Sequence, residues 1–261
     1  MNCKICNNPS QVIFKRKILQ KYDVNFYRCT KCGFIQTEEP FWLEEAYKNS
    51  INVEDTGLIS RNLLFSKRTS TILFFLFDRQ KSFLDFAGGY GIFVRLMRDY
   101  GFDFYWTDPF TPNLFAKGFQ FDLKDSINFE VITAFECFEH FVNPIQEIER
   151  MLKFSKNILF STEIFKSQTP SPDEWAYYSF QHGQHVSFYS FQSLKTIASK
   201  YNLNLYSNGK SFHLLTAKKL SNSVFNFLLY SSLLGLPSYV KLRMHSKVHS
   251  DSNILQANKL V

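Results

Sequence analysis

The stretch KSFLDFAGGYGIFVRLMRDYGFDFYWTDPF, residues 81 to 110, restricts the fold of this chain more than any other. SFLDF is an apolar run broken by one acid, the pattern of a strand buried on both faces. AGGYG forms a tight turn. IFVRLMRDY then places Ile92, Phe93, Leu96, Met97 and Tyr100 on one side of a helix, with Gly101 to end it. FDFYWTD reads as a second strand closing on Asp108, seventeen residues after Gly91. Strand, glycine turn, helix, strand, acid is the nucleotide-binding half of a doubly wound α/β sheet. Glycines let the backbone approach a ligand closely, and an acid at the second strand's tip accepts hydrogen bonds from two ribose hydroxyls. The dinucleotide fingerprint GxGxxG is not satisfied at residues 87 to 92.

Further strands are expected at GFQFD (118–122), FEVITAF (129–135), NILFSTEIF (157–165), LNLYSNG (203–209) and FHLLTAKK (212–219). Upstream, four of the five cysteines fall as Cys3-x-x-Cys6 and Cys29-x-x-Cys32, twenty-two residues apart. Each CxxC turn presents two sulfurs, and two turns brought together by a hairpin complete a four-thiolate zinc site with no open position, a structural ribbon. VIFKRKILQKYDVNFYRC, between them, alternates well enough for the two strands of that hairpin. Cys137 stands apart and reads as a packed small hydrophobe.

FECFEHF, residues 135 to 141, follows the fourth expected strand. In a doubly wound sheet the carboxyl ends of the strands bind ligands, so Glu136, Glu139 and His140 fall where chemistry is done. A helix is expected from Asn143-Pro144, with asparagine as cap and proline at the first position. Three readings stay open. His140 is a general base oriented by Glu139; or Glu136, Glu139, His140 and His185 hold a divalent ion that lowers a hydroxyl's pKa; or the residues stabilise the loop. DEWAYYSFQHGQHVSFYS, residues 173 to 190, adds His182 and His185 among aromatics, which suggests a binding wall.

LDFAGGYG resembles motif I of the class I S-adenosylmethionine methyltransferases, with Gly89 and Gly91 in place and Ala87 where the usual form has glycine. The resemblance implies a Rossmann-like seven-stranded sheet with helices on both faces and an antiparallel last pair. It implies S-adenosylmethionine against Ala87, Gly89 and Gly91, with Asp85 at the cofactor's amino-acid end, Asp108 on the ribose and Asp122 near the adenine. The alternative for each of these acids is a turn or loop role. EWAYYSFQHGQHVSFYS is similar to the acceptor-side loop of a bacterial group that pairs an N-terminal four-cysteine zinc module with this domain. Some members of that group methylate nucleotide-linked sugars. WLEEAYKNSINVEDTGLISRN, residues 42 to 62, is similar to the helical entry segment of such enzymes, and that resemblance puts Tyr47, Asp55 and Arg61 near the pocket, while ExxEH is similar to a metal motif of small-RNA 2′-O-methyltransferases and ubiquinone O-methyltransferases.

The chain therefore divides into a zinc ribbon (1–40), a helical lid segment (41–82), a methyltransferase domain (83–220) and a C-terminal helix with a flexible tail (221–261), frayed from Ser246. The net charge of +7 comes from the two ends, since residues 1 to 40 carry seven Lys/Arg against three acids and 241 to 261 carry four against one. Zinc on four thiolates cuts the N-terminal surplus to about +2, which weakens the case for nucleic acid. No run of eighteen apolar residues exists, and the first ten residues lack an apolar core for secretion, so a soluble cytoplasmic protein is expected. The broken apolar stretch from 223 packs as an extra helix or touches a membrane surface. The expected function is O-methylation of a sugar or sugar-like group on a nucleotide-activated or glycan precursor. The alternatives are a metal-dependent RNA 2′-O-methyltransferase, which calls for a basic stripe the neutral middle lacks, and a non-catalytic ribbon protein on a degenerate scaffold.

Overall fold

The computed structural model describes residues 1–48, 55–125, 127–166 and 168–257; the rest of the segment 42–62, namely 49–54, lies outside the described residues. Among the described residues, eleven strands run in chain order: β1 Ser10–Ile18, β2 Tyr22–Cys29, β3 Ile35–Thr37, β4 Ser82–Phe86, β5 Asp103–Thr107, β6 Ile132–Ala134, β7 Asn157–Ser161, β8 Ile164–Phe165, β9 Ser187–Ser190, β10 Asn204–Ser207 and β11 Phe212–Thr216. The α-helices are α1 Leu43–Ala46, α2 Leu58–Leu76, α3 Ile92–Tyr100, α4 Pro144–Leu152, α5 Phe191–Lys200, α6 Asn222–Tyr230, α7 Leu236–Arg243 and α8 Val248–Ala257. Six strands form one sheet in the order β10-β11-β7-β6-β4-β5, and five form another, β1-β2-β3-β9-β8. The chain clusters into two compact units, Val53–Ala134 with Lys153–Ile158 and Leu220–Val261, and Met1–Asn52 with Phe135–Leu152 and Leu159–Lys219.

In the first of these units β4 pairs in parallel with both β5 and β6. The apolar strand SFLDF is buried from Phe83 to Phe86, as expected of a central parallel strand. Phe83 stacks on Phe104 at 5.2 Å, and Phe93 of α3 meets Phe104 edge-on at 5.6 Å. Each such fully buried ring contributes about 1.5–3 kcal/mol. Gly101 ends α3 at φ 102°, and its N–H and that of Phe102 bond back to the carbonyls of Arg98 and Met97. The strand expected at 118–122 contributes a single parallel bridge, Trp106 to Gln120. Gly118 at φ 84° breaks the chain before it, and a turn capped by Asp122 on the Lys124 N–H breaks it after.

The C-terminal residues belong to the same unit. The tail expected to fray from Ser246 instead forms α8, and Asp251 on it is 1% exposed. Its carboxylate takes Arg98 through Nε and Nη2, both at 2.8 Å, and Arg95 Nη2 at 2.8 Å. A polar sequence hides this contact, because the buried group is an ion pair and not an apolar stripe.

The other unit holds the ribbon. β1 and β2 form the expected hairpin, but β3 continues into β9, with Ile35 opposite Phe188 and Gln36 opposite Ser187. Residues 1–40 thus share their sheet with strands that follow β7. Ile18, Val24, Phe26, Ile35, Trp42, Tyr178 and Phe188 pack into one core. Tyr178 and Phe188 are wholly buried, so these aromatics of the 173–190 run are core, where a binding wall was expected. No helix among the described residues is long and apolar enough to cross a membrane.

Candidate functional site

In the unit that holds β4, the turn after that strand is built from left-handed residues: Ala87 at φ 57°, Gly89 at 53° and Gly91 at 85°. A side chain at Gly88 would meet Trp106 Cδ1 at 2.7 Å and Asp85 Oδ2 at 2.8 Å, and one at Gly91 would meet Ala116 Cβ at 2.9 Å. At Gly89 the same test finds open space, so the turn exposes bare backbone there. Asp108 lies at the tip of β5 as expected. Its Oδ2 accepts the Gly89 N–H at 2.9 Å, and its Oδ1 accepts the N–H groups of Phe110 and Thr111 at 2.8 Å. A carboxylate has about four acceptor positions, so capacity for a ribose hydroxyl is left while the carboxylate ties the turn to the second strand.

Asp85 is 3% exposed and accepts a 2.6 Å bond from Thr133 Oγ1. Burial pushes its carboxyl up to about 7, the Thr133 bond opposes that, and Asp108 adds to it. A cationic ligand group beside it would restore the charge, which suits the ammonium or sulfonium of S-adenosylmethionine. Asp122 is exposed and caps its own turn. Asp55 and Arg61 pair with each other through two bonds of 3.0 and 2.7 Å at the start of α2.

In the ribbon unit, the residues of FECFEHF are arranged by a left-handed Glu136, φ 53°, and a 3-10 turn over Phe138–His140. Glu139, His140 and His185 offer ligand atoms that all lie within 4.8 Å of one another. Glu136 stands outside that trio, and its Oε1 accepts a 2.6 Å bond from Ser161. His140 Nδ1 lies 3.1 Å from the Gln184 carbonyl and 3.0 Å from the Tyr47 hydroxyl. A carbonyl only accepts, so Nδ1 carries the proton and Nε2 keeps a lone pair. The same holds for His185, whose Nδ1 lies 2.6 Å from the Tyr177 carbonyl. Burial drives both imidazoles down, His140 to about 3 and His185 to about 4. Glu139 is 1% exposed, and its Oε2 has no hydrogen-bond partner. Burial pushes this carboxyl up to about 8, Glu136 adds to the rise, and the Tyr177 and Thr162 hydroxyls oppose it. His182 sits half buried in the 179–183 turn, outside the trio.

The four thiols gather as the spacing predicts. Cys3 Sγ is 3.6 Å from Cys32, Cys6 is 3.4 Å from Cys29, and all four lie within 4.8 Å. Four sulfurs at about 2.3 Å from one ion are separated by about 3.8 Å, so the set fits zinc. The N–H groups of Ile5, Lys31 and Cys32 point at the sulfurs at 3.4 Å, which favours thiolates. Cys137 is buried, 5% exposed.

Sequence reasoning did not find the carbonyls of Gln184 and Tyr177 that fix the two imidazoles. Backbone acceptors leave no mark in residue identity, and only the proximity of both residues to His185 in the chain pointed their way.

The family model described as "Methyltransferase domain" matches residues 61–208, more than half the chain. No curated protein relative matches the sequence. Among solved structures, a methyltransferase of calicheamicin biosynthesis with S-adenosylhomocysteine bound is similar at 12% identity and TM-score 0.43, over 67% of this chain and 61% of that one. The plantazolicin methyltransferase in complex with S-adenosylhomocysteine is similar at 14% identity and TM-score 0.45, over 78% and 84%. Magnesium protoporphyrin IX methyltransferase from Synechocystis is similar at 10% identity and TM-score 0.44, over 67% and 92%. The chain spans about three fifths of the length of the calicheamicin enzyme. With its parallel β6-β4-β5 core, glycine turn and terminal acid in the expected places, the chain belongs to the methyltransferase domain family.

Proposed function

We propose that the protein transfers the methyl group of S-adenosylmethionine to a hydroxyl of a small-molecule acceptor, with Glu139, His140 and His185 handling the acceptor. The observation that carries this reading is the buried Glu139 oxygen without a partner beside two imidazoles whose Nε2 lone pairs are free of the backbone bonds made by Nδ1. An unpaired buried polar atom costs about 1–3 kcal/mol. A scaffold that had lost its chemistry would have no reason to retain it. That argues against a purely non-catalytic binding protein.

When bound, S-adenosylmethionine supplies an electrophilic methyl group, and its in-line displacement asks the protein mainly for alignment. Asp108, beside the open backbone at Gly89, would hold the nucleoside end, and Asp85 the amino-acid end. Removal of the acceptor's proton falls to the trio. His140 as the base is one way. A divalent ion on Glu139, His140 and His185 is the other, and the geometry favours it, because metal-binding histidines characteristically donate their second N–H to a backbone carbonyl. The thiol cluster would hold a structural zinc. The acceptor we infer is a sugar or sugar-like group on a nucleotide-activated or glycan precursor, supported by the resemblance of the four-cysteine module and the 174–190 run.

Titration of the zinc-replete protein with S-adenosylhomocysteine tests the cofactor half, and micromolar binding lost in Asp108→Ala is the expected result. Manganese titration followed by electron paramagnetic resonance tests the trio. One ion bound by wild type and none by His185→Ala supports the metal. No manganese signal, with methyl transfer intact, leaves His140 as the base.

A further inference from the structure

Inside the unit that holds β4, α6, the 3-10 turn Ser231–Leu234 and α7 all pack on α2. Their buried side is apolar, with Phe225, Leu228 and Leu229 on α6 and Pro237 and Val240 on α7. A surface helix turns polar and charged residues the other way. These helices turn apolar ones outward as well. Val224, Phe227 and Tyr230 recur every three residues along α6, Leu234 follows, and α7 presents Tyr239 and Leu242, the last 84% exposed. Tyr239 stacks on the exposed Phe75 of α2, ring centroids 6.5 Å apart at 10°, so the apolar surface is continuous from α2 to α7. α2, α6, the turn and α7 contain no Asp or Glu. Lys67, Lys241 and Arg243 are exposed on them, and the Arg68 guanidinium lies 5.5 Å from the Tyr230 ring. The acids of adjoining segments are engaged. Asp55 pairs with Arg61, Asp99 with Arg95, and Asp251 with Arg95 and Arg98. Asp78, just past α2, accepts the Gln80 N–H at 3.0 Å and is followed by exposed Arg79.

We propose that the outer face of α6 and α7 docks on an anionic lipid surface, with Phe227, Tyr239 and Leu242 entering the headgroup layer and Lys241 and Arg243 meeting lipid phosphates. Apolar side chains flanked by cations match an interface that is oily below and negative above. The long stems of Lys241 and Arg243 let their charges stay at headgroup level while the neighbouring Leu242 sinks past them. An exposed apolar face of this kind marks an interaction site, and charge decides which. A second copy joined symmetrically through the same face would bring Lys241 and Arg243 against their own equivalents, with no acid on these helices to meet them. A lipid surface supplies the missing negative charge. The contact is one of helices lying on the membrane, and it stands independently of the catalytic reading.

The test is cosedimentation of the full, zinc-replete chain with vesicles of phosphatidylcholine alone and of phosphatidylcholine with about 30% phosphatidylserine. Binding to the anionic vesicles is expected to be roughly tenfold or more stronger than to the neutral ones, and to weaken as salt is raised. Lys241→Gln combined with Arg243→Gln should weaken it at least about tenfold, at roughly fivefold per cation. Phe227→Ser combined with Leu242→Ser should weaken it by roughly as much. All four side chains are exposed, so the urea midpoint is expected to stay that of wild type. If either double variant unfolds, Leu242→Trp decides: quenching of its fluorescence by lipids brominated on their acyl chains supports the docking, and no quenching overturns it. Equal binding to both vesicle types, binding that ignores both double variants, or no binding by folded protein overturns the proposal. A dimer that forms without vesicles and dissociates in the Phe227→Ser, Leu242→Ser variant assigns the face to a second copy and overturns it too.

Discussion

Arg98 and Asp251 form a two-pronged ion pair, 2.8 Å at each prong, with side chains 3% and 2% exposed. Arg98 also bonds Asp103 at 2.9 Å and the Phe104 carbonyl at 2.8 Å, so α8 is fastened to α3 and β5. Breaking a buried pair leaves its partner charge unmatched, which costs about 3–5 kcal/mol. Asp251→Ala is expected to lower the midpoint of urea unfolding by that much stability. A change under about 1 kcal/mol would mean that α8 is not docked in solution.

The second prediction concerns pH. Asp85 has a folded pKa raised to about 7 from 3.8. A raised acid contributes stability that is complete below its unfolded value and is lost as pH climbs through the folded value. In the ligand-free protein, wild type should therefore lose stability relative to Asp85→Asn between about pH 4 and pH 7, by up to about 1.4 kcal/mol per pH unit. Parallel stability curves for the two proteins across that window would show that Asp85 titrates normally.

Ala87 occupies the left-handed region at φ 57°, where a side chain costs about 1–2 kcal/mol and glycine costs nothing. Glycine gives back part of that through its looser unfolded chain. Ala87→Gly is expected to raise stability by about 0.5–1 kcal/mol with S-adenosylhomocysteine affinity unchanged. A fall in stability would show that the Ala87 methyl packs usefully.

The thiol cluster predicts one zinc per chain, measurable by atomic absorption. Cys29→Ser should lose the ion and lower the melting temperature, since ligand thiolates and the ribbon strands fold together. Full zinc content in that variant would place the ion elsewhere.

Much of the fold was legible in local pattern. SFLDF became Ser82–Phe86 and the helix ran over Ile92–Tyr100 as spaced, because a buried parallel strand and an amphipathic helix each write their own period. NILFSTEIF split into β7 and β8, and β8 joined the ribbon's sheet; the pairing of Ile35 with Phe188 spans over 150 residues and has no local signature. At the candidate site, the chemistry of Glu139, His140 and His185 was legible as residue types. The turning away of Glu136 toward Ser161 was not, since a left-handed backbone at a glutamate is decided by its surroundings.

The β3–β9 ladder bears on how this chain can be dismantled. Removing the first forty residues would strip β9 of its neighbour and bare a row of unsatisfied amides and carbonyls next to buried Phe188. Exposed edges of that kind seek strands on other molecules. A shortened chain would therefore clump instead of yielding a free-standing catalytic core, and the ribbon is a structural member that cannot be exchanged like a detachable tag.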